Sequence, residues 1–120
     1  MAAIKIAHLD HVEILVKDKE ASEAWYKKVL GLKRRYLKEW GQDWLVLGAG
    51  SSWILLAEPG QGRKVQRQHF AFQVSMAEYG LARKELEGQG IKLSEEDHGV
   101  SRSFYFQDPD GHRLEITAYR

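Results

Sequence analysis

His11-Val12-Glu13-Ile14-Leu15-Val16 and His69-Phe70-Ala71-Phe72-Gln73-Val74 are the two stretches on which the fold turns. Each opens on a histidine and alternates with a period of two, the signature of a half-buried strand. Val12, Ile14 and Val16 share one face of the first strand, and His11, Glu13 and Leu15 take the other. In the second strand Phe70, Phe72 and Val74 share a face, which leaves His69, Ala71 and Gln73 opposite.

The two stretches lead into similar patterns. The first strand reads from Ile6 to Val16. Asp18 is placed to cap a helix whose apolar stripe is Ala21, Trp25, Val29 and Leu32, and Gly31 stands where that helix should stop. Strands are expected over Lys33 to Glu39, Trp44 to Leu47 and Trp53 to Ala57, with a turn at Gly48 to Ser52. Pro59, Gly60 and Gly62 mark a loop, after which the pattern restarts. Ser75-Met76-Ala77-Glu78 has capping-box spacing, and Tyr79, Ala82 and Leu86 trace a second helix ending near Gly90. Strands are then expected at Ile91 to Ser94, Ser103 to Gln107 and His112 to Tyr119, the last two joined by Asp108-Pro109-Asp110-Gly111 as a type I turn. The fold class is therefore α+β: paired βαβββ modules, about 6–58 and 68–119, within one domain spanning 1–120.

Composition excludes several classes of function. At 120 residues, with 43% hydrophobic and 29% charged residues, the chain has ordinary globular make-up for one domain. A net charge of +1 gives no reason to expect nucleic acid or an anionic membrane. Arg63-Lys64, with Arg67, reads as a solvated loop. Cysteine is absent, so neither a disulfide nor a thiolate ligand is available. The N-terminus lacks a signal-peptide core and apolar runs are short, so a cytoplasmic protein with no membrane span is expected.

Alternation sorts the candidate chemistry. Leu114 and Ile116 face the helix side of the last strand, so Arg113, Glu115 and Thr117 face away. His11, His69 and Glu115 thus all lie on faces that no helix covers, and two imidazoles with a carboxylate suit a divalent ion with open positions. By spacing alone the commoner reading is surface or hydrogen-bonded histidines and a solvated glutamate. His8, three residues before His11, takes the other face and reads as structural. His98 and His112 sit in or beside turns, where solvation is the default.

The opening His11 to Val16 with Trp25-Tyr26-Lys27-Lys28-Val29-Leu30-Gly31, the strand His69 to Val74, and the closing Ser103-Phe-Tyr-Phe-Gln-Asp-Pro-Asp-Gly-His-Arg-Leu-Glu115 resemble the vicinal-oxygen-chelate superfamily. That superfamily includes glyoxalase I and the fosfomycin-resistance, bleomycin-resistance and extradiol dioxygenase types. The resemblance implies curved sheets around a metal-binding cup, with His11, His69 and Glu115 holding one divalent ion (Mn, Zn, Ni, Co or Fe). The closing motif is most similar to the fosfomycin-resistance branch through Ser103, Tyr105 and His112, and Trp53 matches a pocket tryptophan there. The chain departs from that branch at Glu13, where the branch has threonine. A potassium-binding loop is also not recognisable in Gly99-Val100-Ser101-Arg102. Against glyoxalase I, Leu55 or Leu56 stands where a further carboxylate is expected, with Glu58 close by.

The resemblance therefore implies a metal-dependent lyase, isomerase or transferase acting on a small oxygen-rich substrate, with a thiol as one candidate cosubstrate. Glu13 and Tyr105 are the candidate catalytic residues, and Trp53, Ser103 and Arg113 the candidate substrate-binding ones. Glu13 shares the face of His11 and suits a base, or a carboxylate solvated at the cup's mouth. A homodimer is expected from the tryptophans Trp25, Trp40, Trp44 and Trp53 and from relatives that build each cup from two chains. The alternatives are a metal-free drug-binding protein and an extradiol-type dioxygenase.

Overall fold

The computed structural model describes residues 4–35, 44–60 and 64–120. Trp40, Gly62 and the expected course of the second strand from 36 to 39 lie outside them. The chain divides into two compact units, Met1–Gly62 and Arg63–Arg120, and each holds one of the two expected modules.

In the first unit β1 (His11–Leu15) leads to α1 (Lys19–Leu30), then β2 (Lys33–Arg35), β3 (Leu45–Ala49) and β4 (Ser52–Ala57). The sheet runs β1-β4-β3-β2, with β1 parallel to β4 and the other pairs antiparallel. Helix α1 starts where Asp18 accepts the Glu20 and Ala21 amides, and it stops at left-handed Gly31, φ 69°. Its buried face is Ser22, Tyr26 and Val29: Val29 belongs to the expected stripe, but Ser22 and Tyr26 are buried in place of Ala21 and Trp25. Ala21 and Ser22 begin adjacent stripes, and periodicity does not say which of the two meets β3 and β4. β1 is shorter than expected because its ladder reaches back only to Asp10, whose carbonyl accepts Trp53 N–H. His8 precedes it as an exposed residue, not a packed one. Gly48 and Ala49 belong to β3, which confines the turn to Gly50 and Ser51, with Gly50 at φ 61°.

The second unit runs β5 (His69–Gln73), α2 (Met76–Gly88), β6 (Ser94–Asp97), β7 (Ser101–Gln107) and β8 (Arg113–Tyr119). Its sheet repeats the first topology as β5-β8-β7-β6, with β5 parallel to β8. Ser75 caps α2 by accepting Glu78 N–H, and Tyr79 and Leu86 are buried along it. The segment Ile91 to Leu93, expected to begin a strand, does not: Ile91 N–H returns to Leu86 O at 3.0 Å and closes the helix end. β6 is displaced to Ser94–Asp97, an exposed acidic edge strand. Glu95 fastens it by accepting from Tyr79 Oη at 3.2 Å, Arg83 Nη1 at 2.9 Å and Arg102 Nη2 at 3.4 Å.

The turn before β8 corrects the expectation for His112. Gly111 N–H closes it on Asp108 O at 3.0 Å, and the Asp108 carboxylate accepts the Asp110 and His112 amides, each at 2.9 Å. His112 is not solvated. It is 0% exposed, and its Nδ1 accepts Gln68 N–H at 2.9 Å, tying the start of β8 to the approach to β5. His112→Ala should leave a cavity and an unpaired amide, lowering stability by about 2–4 kcal/mol in denaturant titration. A loss below about 0.5 kcal/mol, the usual range for a surface substitution, would show that the ring carries no such weight.

Candidate functional site

The register of the second sheet sets the site. Ala71, Glu115, Tyr105 and Ser94 lie opposite one another across the four strands, flanked by His69 with Arg113 and by Ser103 with Thr117. These residues share one face. The other face carries Phe104, whose ring is 5.3 Å from that of Tyr79 on α2.

On the helix-free face, His69 Nε2 stands 3.0 Å from Glu115 Oε1. The other carboxylate oxygen, Oε2, accepts the Ser103 hydroxyl at 2.6 Å. Ser103 is wholly buried and also reaches Thr117 Oγ1 at 3.0 Å, so this expected substrate contact has its hydroxyl committed to Glu115 and Thr117. Burial pushes the Glu115 carboxyl up, but the Ser103 hydroxyl and His69 together outweigh it and hold the group below the ordinary value.

Tyr105 is buried, with its ring centroid 5.9 Å from that of His69. Burial, then the charges of Glu115 and Glu96, push its hydroxyl up, so it stays protonated as a donor. The guanidinium of Arg113 lies 4.1 Å above the Tyr105 ring, and His98 Nε2 meets the Tyr105 hydroxyl at 3.0 Å. A cavity of about 550 Å³ opens between residues 90–94 and Tyr105, Gln107 and Arg113.

In the first unit the helix-free face carries His11, Glu13, Trp53, Leu55 and Val46. The His11 ring stacks on Trp53 at 4.0 Å, 13° from parallel, and its Nδ1 meets Asp10 Oδ2 at 2.8 Å. Trp53, Leu55 and Val46 form a buried apolar cluster. Glu13 is exposed, and among the described residues its carboxylate makes no hydrogen bond or ion pair. Glu58 goes elsewhere: its Oε2 accepts Lys19 N–H at 3.1 Å, at the start of α1.

His69 and Glu115 are thus gathered on one sheet, while His11 belongs to the other unit. Among the described residues no three His, Asp or Glu side chains are grouped as an ion would need. Two neighbours are not evident from alternation. Asp10 carries a signal in the sequence, since it directly precedes His11. His98 carries none, because only the β6–β7 turn brings it onto Tyr105.

The family model described as Glyoxalase/Bleomycin resistance protein/Dioxygenase superfamily matches residues 8–116. The chain belongs to that superfamily. Among superfamily relatives, it is 29% identical over 113 residues to the Glutathione transferase FosA of Serratia marcescens, covering 90% of this chain and 78% of that one. It is 27% identical to the Catechol-2,3-dioxygenase of Bacillus subtilis (strain 168), covering 94% of this chain but only 42% of that protein. Among solved structures, an integron cassette protein from the mobile metagenome of the Halifax Harbour sewage outfall is 31% identical, with a TM-score of 0.79 over 94% of this chain and 99% of that one.

Proposed function

We propose that the chain is a metal-dependent superfamily enzyme acting on a small oxygen-rich substrate that chelates one divalent ion held by His11, His69 and Glu115. The observation that carries this reading is the 3.0 Å approach of His69 Nε2 to Glu115 Oε1, with Ser103 holding the opposite oxygen. A ring nitrogen and a carboxylate oxygen this close, on one sheet face, would together hold a divalent ion with little movement. Asp10 on His11 Nδ1 adds support, because a carboxylate on one ring nitrogen orients the other toward a metal. Two imidazoles and one carboxylate suit Mn, Fe, Co, Ni or Zn.

When bound, the ion would stabilise negative charge developing on two substrate oxygens. The chain's own residues do the rest. Ser103 keeps Glu115 ionised and aimed. Tyr105 offers a protonated hydroxyl to the substrate, and Arg113, stacked on its ring, adds positive charge at the rim. Trp53 orients His11 and lines an apolar wall. Glu13 is the proposed base.

A lyase, isomerase or transferase fits this arrangement, and the FosA relative, a glutathione transferase, favours a thiol cosubstrate. The catechol-2,3-dioxygenase relative supports a second reading, an extradiol-type dioxygenase. We further propose a homodimer in which two copies complete each cup. A monomeric mass by light scattering at micromolar concentration would remove that assembly.

Elemental analysis of untagged protein tests the central reading, followed by a panel of vicinal-oxygen substrates with and without thiol, in air and under nitrogen. One ion per chain with turnover under nitrogen is expected. Turnover that requires oxygen selects the dioxygenase. Protein that binds a ligand yet no divalent ion overturns the enzyme reading.

A further inference from the structure

β6 and β7 are joined by the turn His98-Gly99-Val100, which is tied from two sides. Within the turn, His98 N–H donates to Ser101 O at 2.8 Å, and the Asp97 carboxylate accepts Gly99 N–H at 2.8 Å. Gly99 has φ 83°, a conformation that glycine takes at little steric cost. From outside comes Arg120, the residue after β8. Its Nη1 donates to Asp97 Oδ1 at 2.9 Å and to Gly99 O at 2.6 Å, and reaches Ser101 O at 3.5 Å. Its Nη2 donates to Asp97 Oδ2 at 2.8 Å, and its backbone N–H to Val100 O at 2.9 Å.

One carboxylate and two carbonyls therefore converge on one guanidinium. A lone exposed ion pair contributes little. This one is bidentate and adds main-chain carbonyls of a single short turn, which gives it geometric control that a point charge lacks. The side chain that the turn presents is His98. Its Nε2 meets the Tyr105 hydroxyl at 3.0 Å, and Glu96 Oε2 lies 3.7 Å from the same nitrogen. Tyr105 in turn lies opposite Glu115 in the β7–β8 register.

We propose that Arg120 is a positioning residue for the candidate site: seated in the β6–β7 turn, its guanidinium fixes His98 against Tyr105 and so sets the direction of the Tyr105 hydroxyl. The proposal rests on the reading of Tyr105 as a hydroxyl that faces substrate. Its test is read at Tyr105 itself, with no ion or substrate present, so failure of the metal assignment leaves it standing. The turn is exposed and short, so without the clasp its side chains sample rotamers on fast timescales. The strands, held by their own ladders, stay paired.

The measurement is NMR on the full chain carrying ¹³C-labelled tyrosine rings and ¹⁵N-labelled imidazoles. Arg120→Gln should move the His98 signals and shift the Tyr105 ring signals in the same direction as His98→Ala does. The imidazole signals of buried His112, at the other end of β8, should stay in place. The double variant should move Tyr105 no further than His98→Ala alone, because both changes act through one contact. Arg120→Lys, which keeps the charge without the planar fork, should fall between. Asp97→Asn weakens the same clasp from the opposite side and supplies the test if Arg120→Gln does not fold. Unchanged His98 and Tyr105 signals in a folded clasp variant overturn the proposal, as do Tyr105 shifts that simply add in the double variant.

Discussion

The His69→Ala protein is expected to bind its divalent ion at least about a hundredfold more weakly than the unaltered chain, and to lose turnover with it. Loss of a hydrogen-bonded partner that only supports a metal ligand typically costs about 10–100-fold in affinity, so loss of a ligand should exceed that range. Ser103→Ala supplies the internal comparison. Its hydroxyl holds Glu115 Oε2 at 2.6 Å, and its removal should weaken metal by about 10–100-fold without abolishing binding. Elemental analysis after gel filtration, with calorimetric titration of the stripped protein, measures both. The graded order matters, because a His69–Glu115 ion pair with no metallic role would leave metal content unchanged in both variants. Stoichiometric metal retained by His69→Ala would end the ligand assignment.

The parts of this fold that are legible in the sequence are those in which one local signal has one local consequence. Asp18 and Ser75 cap α1 and α2 because a side-chain oxygen just before a helix has orphan amides within reach. The alternation at His69 to Gln73 and Arg113 to Tyr119 reports which residues face α2, and with it the shared face of His69 and Glu115. Legibility fails where tertiary context chooses between equivalent local options. The stripes through Trp25 and Tyr26 are equally helical, and only packing on β3 and β4 selects Tyr26. Ile91 to Ser94 alternates like a strand, yet Ile91 is used to end α2, and the strand that does form is the polar Ser94–Asp97. An edge strand held by Glu95 and its arginine partners needs no apolar face to announce it.

The site divides in the same way. Which residues share a face depends on parity along each strand, so alternation and motif bring His69, Glu115, Tyr105 and Arg113 together, as the sheet register does. What each one touches depends on distances across strands, which parity does not carry. Ser103 turns inward to Glu115, and His98 arrives on Tyr105 through a turn whose shape depends on Arg120. His112 shows the opposite error: proximity to a turn suggests solvent, but its ring closes the gap to Gln68 and is buried.

Glu13→Gln should keep the fold and the ion while slowing turnover by about 100-fold or more, the usual contribution of a positioned general base. Glu13 is the proposed base because its carboxylate is exposed and, among the described residues, unengaged. Around the second-unit pair, the polar groups are already engaged: Ser103 with Glu115, Tyr105 with His98, Arg113 with the Tyr105 ring. Glu58 is bound to the start of α1. Glu13 alone among these carboxylates is without a hydrogen bond or ion pair to the described residues, and strand geometry sets it about 7 Å along β1 from His11 on the same face. Its cross-strand neighbour is Leu55, in the buried cluster with Trp53 and Val46, so the carboxylate stands at the margin of an apolar wall. Bound substrate covering that wall would exclude water around the carboxylate, and the acidic limb of the pH dependence of kcat reports the base in the complex. Glu13→Gln should abolish that limb as well as the rate. A variant that binds metal, turns over at the normal rate and keeps the same acidic limb would show that Glu13 is not the base.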